Sequence, residues 1–102
     1  MDESQVIEAL GALAHEARLR ILRYLVTCGP EGAAAGAIGA AVEASSSRAS
    51  FHLAVLSKAG LITSTRVSRS IIYRVEFAAM GSLMSYLVND CCQGHKSVRA
   101  CC

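Results

Sequence analysis

Residues 45–62 read SSSRASFHLAVLSKAGLI, and this stretch decides the fold of the 102-residue chain. The serine cluster at its start marks a turn and supplies an N-cap for a helix that runs to about Ala59. Ala49, Leu53 and Leu56 recur on one side of that helix, which predicts a buried face. The stretch therefore predicts an amphipathic helix whose remaining sides are open to solvent.

The sequence around this helix predicts four more helices and one β hairpin. Capping signals and apolar spacing place the five helices at residues 2–13, 15–28, 33–42, 46–59 and 77–90. Two runs rich in β-branched residues, 61–67 and 71–76, flank the turn Ser68-Arg69-Ser70 and predict the hairpin. The expected fold class is mainly α with a small two-stranded β hairpin, which lies between the fourth and fifth helices.

Local patterns also predict one helix end and two apolar faces. Asp2, with Gln5 three residues later, predicts a capping box at the start of the first helix. The second helix is expected to bury the stripe Leu19, Leu22, Leu25 and Val26. The last helix has apolar side chains at helical spacing, namely Met80, Leu83, Met84, Leu87 and Val88.

The charge of the chain is unevenly distributed. The net charge is only +2, yet residues 44–75 contain five basic residues and no acidic residue. Such a block indicates a local site for a polyanion. A helix-turn-helix followed by a basic hairpin is a known arrangement for reading duplex DNA, because the major groove admits one helix and the hairpin can contact the flanking phosphates.

Double-stranded operator DNA is therefore the expected partner, and two sets of side chains are expected to contact it. From the fourth helix we expect contacts to bases and phosphates by Ser46, Ser47, Arg48, Ser50, Phe51, His52 and Lys58. From the hairpin we expect phosphate contacts by Arg66, Arg69 and Arg74.

Several other classes of protein are not expected. There is no paired-carboxylate, nucleophile–base or glycine-rich phosphate-binding constellation, so an enzyme is not expected. The start of the chain has no secretory signal pattern, and the uncharged run 32–42 is far shorter than the roughly 20 residues that span a membrane. We expect a cytoplasmic protein with no membrane partner.

Two stretches resemble the ArsR/SmtB family of metalloregulatory repressors. Residues 12–22, ALAHEARLRIL, look like the opening of that family's second helix, and residues 45–62 are similar to its recognition helix. The resemblance covers about residues 5–90. It implies a winged helix-turn-helix, a homodimer built on the first and last helices, and repression that is lifted when a toxic metal or metalloid binds.

The sequence departs from the family pattern at two positions. His15 stands where the family has a better N-cap for the second helix, so weaker capping is expected there. Phe51 stands where a polar residue or a histidine is frequent, which argues against direct base readout by that side chain.

The cysteines indicate the inducer that the resemblance implies. The family's cysteine pair on the third helix and its Asp/His zinc set on the last helix are both absent. Four of the five cysteines instead lie in the last twelve residues, at Cys91, Cys92, Cys101 and Cys102. Soft thiolates favour soft acceptors, and trivalent arsenic or antimony takes three of them. We expect Cys91, Cys92 and Cys101 as ligands, with Cys102 as the alternative third ligand, as in a similar subgroup of arsenic repressors.

Other interpretations of the cysteines remain open. Four thiolates could bind zinc, and exposed thiols could form a redox switch. In a different class, the chain could be a thiol-based metal carrier, although a carrier does not explain the acid-free block. The sequence does not distinguish inorganic from methylated trivalent arsenic. The predicted organisation is a DNA-binding and dimerisation domain at residues 1–90 and a cysteine-bearing C-terminal tail at residues 91–102.

Overall fold

The structure, a computed structural model, describes residues 1–100 of the chain. The described part contains six α-helices, which are α1 Glu3–Leu13, α2 Glu16–Cys28, α3 Ala35–Ala41, α4 Ser46–Lys58, α5 Phe77–Ser85 and α6 Lys96–Arg99. It also contains the strands β1 Ala33–Ala34, β2 Ile62–Val67 and β3 Ser70–Val75. A 3-10 turn at Gly29–Glu31 follows α2, and a π-helical turn at Tyr86–Cys91 follows α5.

Side chains at the helix starts satisfy backbone groups that would otherwise have no partner. The predicted capping box is confirmed: the Gln5 backbone N–H donates to the Asp2 carboxylate at 2.8 Å, and the Asp2 N–H donates to Gln5 Oε1 at 2.9 Å. His15 caps α2 despite being an unusual residue there, because its Nδ1 accepts from the Ala17 N–H at 3.1 Å.

One hydrophobic core joins α2 to the other elements. Its fully buried large side chains include Ile21, Leu25, Ile38, Leu53, Leu56, Leu61, Ile62 and Leu83. On α2 the predicted stripe is only half right, because Leu22 and Leu25 are buried while Leu19 and Val26 are 46% and 45% exposed. Ile21, which lies outside the predicted stripe, is fully buried in the core. Leu19 and Val26 lie about 100° around the helix from the centre of the buried face, so they reach its edge and not the core.

The sheet has one strand more than the sequence predicts. β2 and β3 form the predicted antiparallel hairpin, closed by the pair Val67 and Ser70 around a two-residue turn. β1 adds a third antiparallel strand on the other side of β3, in the order β1-β3-β2. Two alanines carry no β-branched signal, so the pattern does not reveal them. Gly32 allows the approach, because it has φ +67° and a Cβ there would collide with the Tyr73 carbonyl oxygen.

The C-terminal segment changes from α-helical to π-helical geometry and then forms a turn. The predicted last helix is helical throughout, but its second half is the π-helical turn. Leu83 is buried, whereas Met84 is 46% exposed in the single chain. After the turn, Gln93 and Gly94 take φ of +53° and +68°, and one short helix, α6, follows where no periodicity was evident. Within residues 1–100, no helix is long and apolar enough to cross a membrane.

Candidate DNA-binding surface and cysteine site

The start of α4 presents polar and charged groups to solvent, as predicted. Ser45 caps this helix, because its Oγ accepts from the Arg48 N–H at 3.4 Å. The exposed residues in the first half of the helix are Ser46, Ser47, Arg48, Ser50 and Phe51. Their exposure leaves five of the six expected contact residues in that half available to a partner.

His52 is the exception, because the expectation that its side chain is exposed is wrong. Its residue surface is only 7% exposed, because it shares the buried side of α4 with Ala49 and Leu53. Its Nδ1 lies 3.3 Å from Nη1 of Arg18, and its ring centroid lies 4.6 Å from that of His15. The Arg18 Nε also donates to the Ala12 carbonyl oxygen at 2.6 Å. His52 therefore joins α4 to the start of α2 and the end of α1.

The surroundings of His52 favour the neutral imidazole. Burial lowers the pKa of His52 below its ordinary value of 6.5, and the positive charges of His15, Arg18 and Arg48 lower it further. A neutral ring can accept at Nδ1 the hydrogen bond that the Arg18 guanidinium donates. His52 therefore helps to hold α4 against α2, and its expected DNA contact stays a prediction.

Sequence reasoning missed Arg18, although a signal for it was present. Arg18 precedes Ile21, Leu22 and Leu25 by three, four and seven residues, which places it on the buried side of α2. Arg20 lacks that phase and makes an exposed ion pair with Glu16 at 2.8 Å. A basic side chain on the same side of a helix as the buried residues predicts a hydrogen-bond partner within the fold.

The hairpin carries its three arginines in two different environments. Arg66 and Arg69 are exposed, and Arg69 lies in the turn itself. Arg74 is half-buried: its Nε donates to the Pro30 carbonyl oxygen at 3.0 Å and its Nη1 donates to Thr65 Oγ1 at 2.8 Å. Arg74 thus fastens β3 to β2 and to the 3-10 turn, a role that the sequence did not predict. Its expected phosphate contact stays a prediction.

The basic block is not neutralised within the fold. The one ion pair among residues 1–100 joins Arg20 to Glu16, outside residues 44–75. Arg48, Lys58, Arg66 and Arg69 are exposed and face solvent without an acidic partner in the described chain. Unneutralised cations on one helix and its neighbouring hairpin suit a polyanion.

Cys91 and Cys92, at the end of the π-helical turn, are exposed and free. Cys91 ends the π-helical turn and Cys92 is its C-cap. A turn follows directly after them, in which the Gly94 N–H donates to the Val88 carbonyl oxygen at 2.7 Å. Cys101 and Cys102 lie outside the described residues. Within residues 1–100, no group of three or more His, Cys, Asp or Glu side chains could hold a metal ion.

The geometry defines a class of protein. α3 and α4 form a helix-turn-helix, α4 presents an exposed polar N-terminal half that includes Arg48, and the β2–β3 hairpin forms a wing that carries exposed arginines. This is a winged helix-turn-helix DNA-binding domain.

Comparison with known proteins agrees with that class. Residues 13–65 match the family described as a helix-turn-helix domain. Over 88 residues the chain is 34% identical to the HTH-type transcriptional regulator YgaV of Escherichia coli strain K12, a match that covers 86% of this chain and 87% of that protein.

Three solved structures are also similar. An ArsR-like transcriptional regulator from Rhodococcus sp. RHA1 has a TM-score of 0.78 and 25% identity, covering 95% of this chain and 89% of that one. The homodimeric winged helix-turn-helix domain of Mb0332 from Mycobacterium bovis, a possible ArsR-family regulator, has a TM-score of 0.68 and 28% identity, covering 91% and 86%. A possible transcriptional regulator for arsenical resistance has a TM-score of 0.69 and 28% identity, covering 78% and 80%. The chain belongs to the ArsR family of DNA-binding helix-turn-helix transcriptional regulators.

Proposed function

We propose that this regulator is a cytoplasmic homodimeric repressor that leaves its operator when trivalent arsenic or antimony binds its C-terminal thiolates. The ligands are Cys91, Cys92 and Cys101, with Cys102 as the alternative third ligand. The observation that carries the proposal is the exposure of two free, adjacent thiols at the end of the π-helical turn, directly before the turn at Gln93 and Gly94.

The thiol arrangement supports a soft, trivalent inducer. Two neighbouring thiols leave a third ligand to be supplied, and the described residues offer no set of three. A turn at Gln93 and Gly94, both at positive φ, directly follows the cysteine pair. Thiolates without carboxylate or imidazole partners suit arsenic or antimony better than harder cations. The similar structure named for arsenical resistance adds to this argument.

Two apolar surfaces support a homodimer through α1 and α5. On α1, Ile7 and Leu10 are 62% and 42% exposed, and on α5, Phe77 and Met84 are 54% and 46% exposed. Large apolar side chains grouped on two helices are typical of an interface. The Mycobacterium bovis structure is described as homodimeric. In this arrangement residues 1–90 bind DNA and dimerise, while residues 91–102 form the sensing tail.

The dimer gives the inducer a route to the DNA. Two α4 helices must lie about one DNA turn apart, roughly 34–36 Å, to enter successive major grooves. A metalloid that ties the tail to Cys91 and Cys92 acts at the end of the π-helical turn, which directly follows the proposed dimer helix α5. Its binding changes the separation of the two α4 helices. A coupling of about 1–3 kcal/mol is typical and is enough to lower operator occupancy.

The test is a fluorescence-anisotropy titration of the purified full-length chain against the DNA upstream of its own gene, with arsenite, zinc or peroxide added separately. Arsenite is expected to release the wild-type protein and the matched control Cys28→Ser, because Cys28 is half-buried on α2. Cys91→Ser and Cys92→Ser are expected to bind DNA normally and to resist release. Release of these variants by arsenite places the site elsewhere, and release by zinc or peroxide alone contradicts the arsenic proposal.

A further inference from the structure

The outward face of α4 has an unusual chemical composition. Ser47, Phe51, Ala54 and Lys58 follow one another at four, three and four residues, which places them on one side of the helix. All four are exposed, and they lie opposite the buried Ala49, Leu53 and Leu56. We call these four residues the outward face. Its centre is apolar, with Phe51 and Ala54 between a hydroxyl and a cation.

Phe51 is exposed without a reason in the folding of the single chain. Its residue surface is 61% exposed, and it lies outside the core that holds its neighbours on the helix. Its ring meets the His52 ring edge-on at a centroid distance of 5.6 Å. His52 is itself fixed by Arg18. The buried His52 ring thus supports one side of the Phe51 ring. The rest of the Phe51 ring is exposed on the outward face of α4.

The helix lacks the groups that read most bases by hydrogen bonds. From Ser46 to Lys58 it contains no asparagine, glutamine, aspartate or glutamate. Adenine is usually read by a bidentate Asn or Gln, and the cytosine amino group by Asp or Glu, so neither readout is available to α4. Arg48 can pair with guanine. The serine hydroxyls can hydrogen-bond to more than one base and so discriminate little among them, and Lys58, like Arg48, can pair with guanine. The exposed apolar centre of the helix matches a different feature of the major groove, the thymine methyl group, which apolar side chains contact.

From this composition we propose that Phe51, together with Ala54, reads the 5-methyl group of a thymine in each operator half-site, making Phe51 a residue that determines sequence specificity. The inference rests on the proposed docking of α4 in the major groove. It also answers the argument against direct base readout by Phe51, since a methyl contact needs no hydrogen-bonding group.

The test compares two forms of one duplex. The full-length chain selects a duplex from a random-sequence library, and that duplex is then prepared with thymine throughout or with uracil in place of every thymine. The substitution removes only the methyl groups. Wild type is expected to bind the uracil duplex about tenfold more weakly, as for one buried methyl in each of two half-sites. Phe51→Ala is expected to bind the thymine duplex more weakly and to distinguish the two forms by less than about twofold.

Two further variants separate the methyl contact from other effects. Phe51→Leu keeps an apolar contact and is expected to retain most of the discrimination. Ser57→Ala, an exposed change on another side of α4, is expected to retain all of it. Equal binding of both duplexes by wild type overturns the inference, as does tenfold discrimination that persists in Phe51→Ala. Failure to bind any duplex instead overturns the proposed DNA-binding role of α4.

Discussion

Replacing Arg18 with alanine removes the link between α1, α2 and α4. The guanidinium donates to the Ala12 carbonyl oxygen at 2.6 Å and to His52 Nδ1 at 3.3 Å, and both contacts are partly buried. A hydrogen bond from a charged donor contributes about 1.5–3 kcal/mol, and the longer bond to the neutral ring contributes about 1 kcal/mol. We therefore expect Arg18→Ala to lower the free energy of unfolding by about 2–4 kcal/mol.

The assay is urea unfolding followed by circular dichroism, with two matched arginine variants of the same helix. Arg20→Ala removes only an ion pair whose side chains are 56% and 76% exposed, so its effect is expected to stay below about 1 kcal/mol. Arg23 is exposed, and Arg23→Ala is expected to change stability by less than about 0.5 kcal/mol. If Arg18→Ala is no less stable than Arg23→Ala, the two hydrogen bonds do not hold the three helices together.

Three further outcomes are expected. Because the pKa of His52 is lowered in the folded state, the unfolded chain binds its proton more readily, and stability is expected to fall as the pH drops below about 6.5. His52→Asn should flatten that slope in urea titrations carried out from neutral to mildly acidic pH, and an unchanged slope assigns it to other groups. Gly32→Ala should lower stability by about 2 kcal/mol or more, since a Cβ collides with backbone at positive φ, whereas Gly11→Ala, in open space on α1, should not. A Gly32→Ala melting temperature equal to that of wild type contradicts the close packing of β1 on β3. Arg69→Ala should weaken binding to all duplexes alike and reduce the salt dependence of log K by about 0.9 for each phosphate that Arg69 neutralises; an unchanged salt slope shows that Arg69 does not bind phosphate.

The parts of the fold that depend on neighbouring residues in the chain were predictable. The Asp2–Gln5 capping box, the serine start of α4 and the hairpin each depend on residues a few positions apart. The predicted burial differs from the observed burial where the packing partners of a residue are distant in sequence. α2 is apolar on more than one side, and the contacts it makes with α1, α3, α4 and β3 decide that Ile21 is buried and Leu19 is not.

In the candidate DNA-binding surface, too, features set by local spacing were predictable and features set by distant contacts were not. Exposure of the serines and Arg48 follows from their distance from the buried face of α4. His52 was misplaced because a histidine beside a buried face is compatible with solvent or core, and the choice depends on Arg18, 34 residues away. Arg74 looked like another wing cation, but its donors reach Pro30, 44 residues earlier. Neither the Arg18–His52 contact nor the Arg74–Pro30 contact can be recognised from neighbouring residues in the sequence.

The contacts around the wing have a mechanical consequence. β3 is held on one side by β1, which leads directly into α3, and Arg74 ties the same strand to the segment after α2. His52 and Arg18 hold α4 to α1 and α2. The wing and α4 are therefore both fastened to α2 and the 3-10 turn that follows it. For the proposed homodimer, we expect a signal at the C-terminal cysteines to move one protomer relative to the other and to preserve the shape of each protomer.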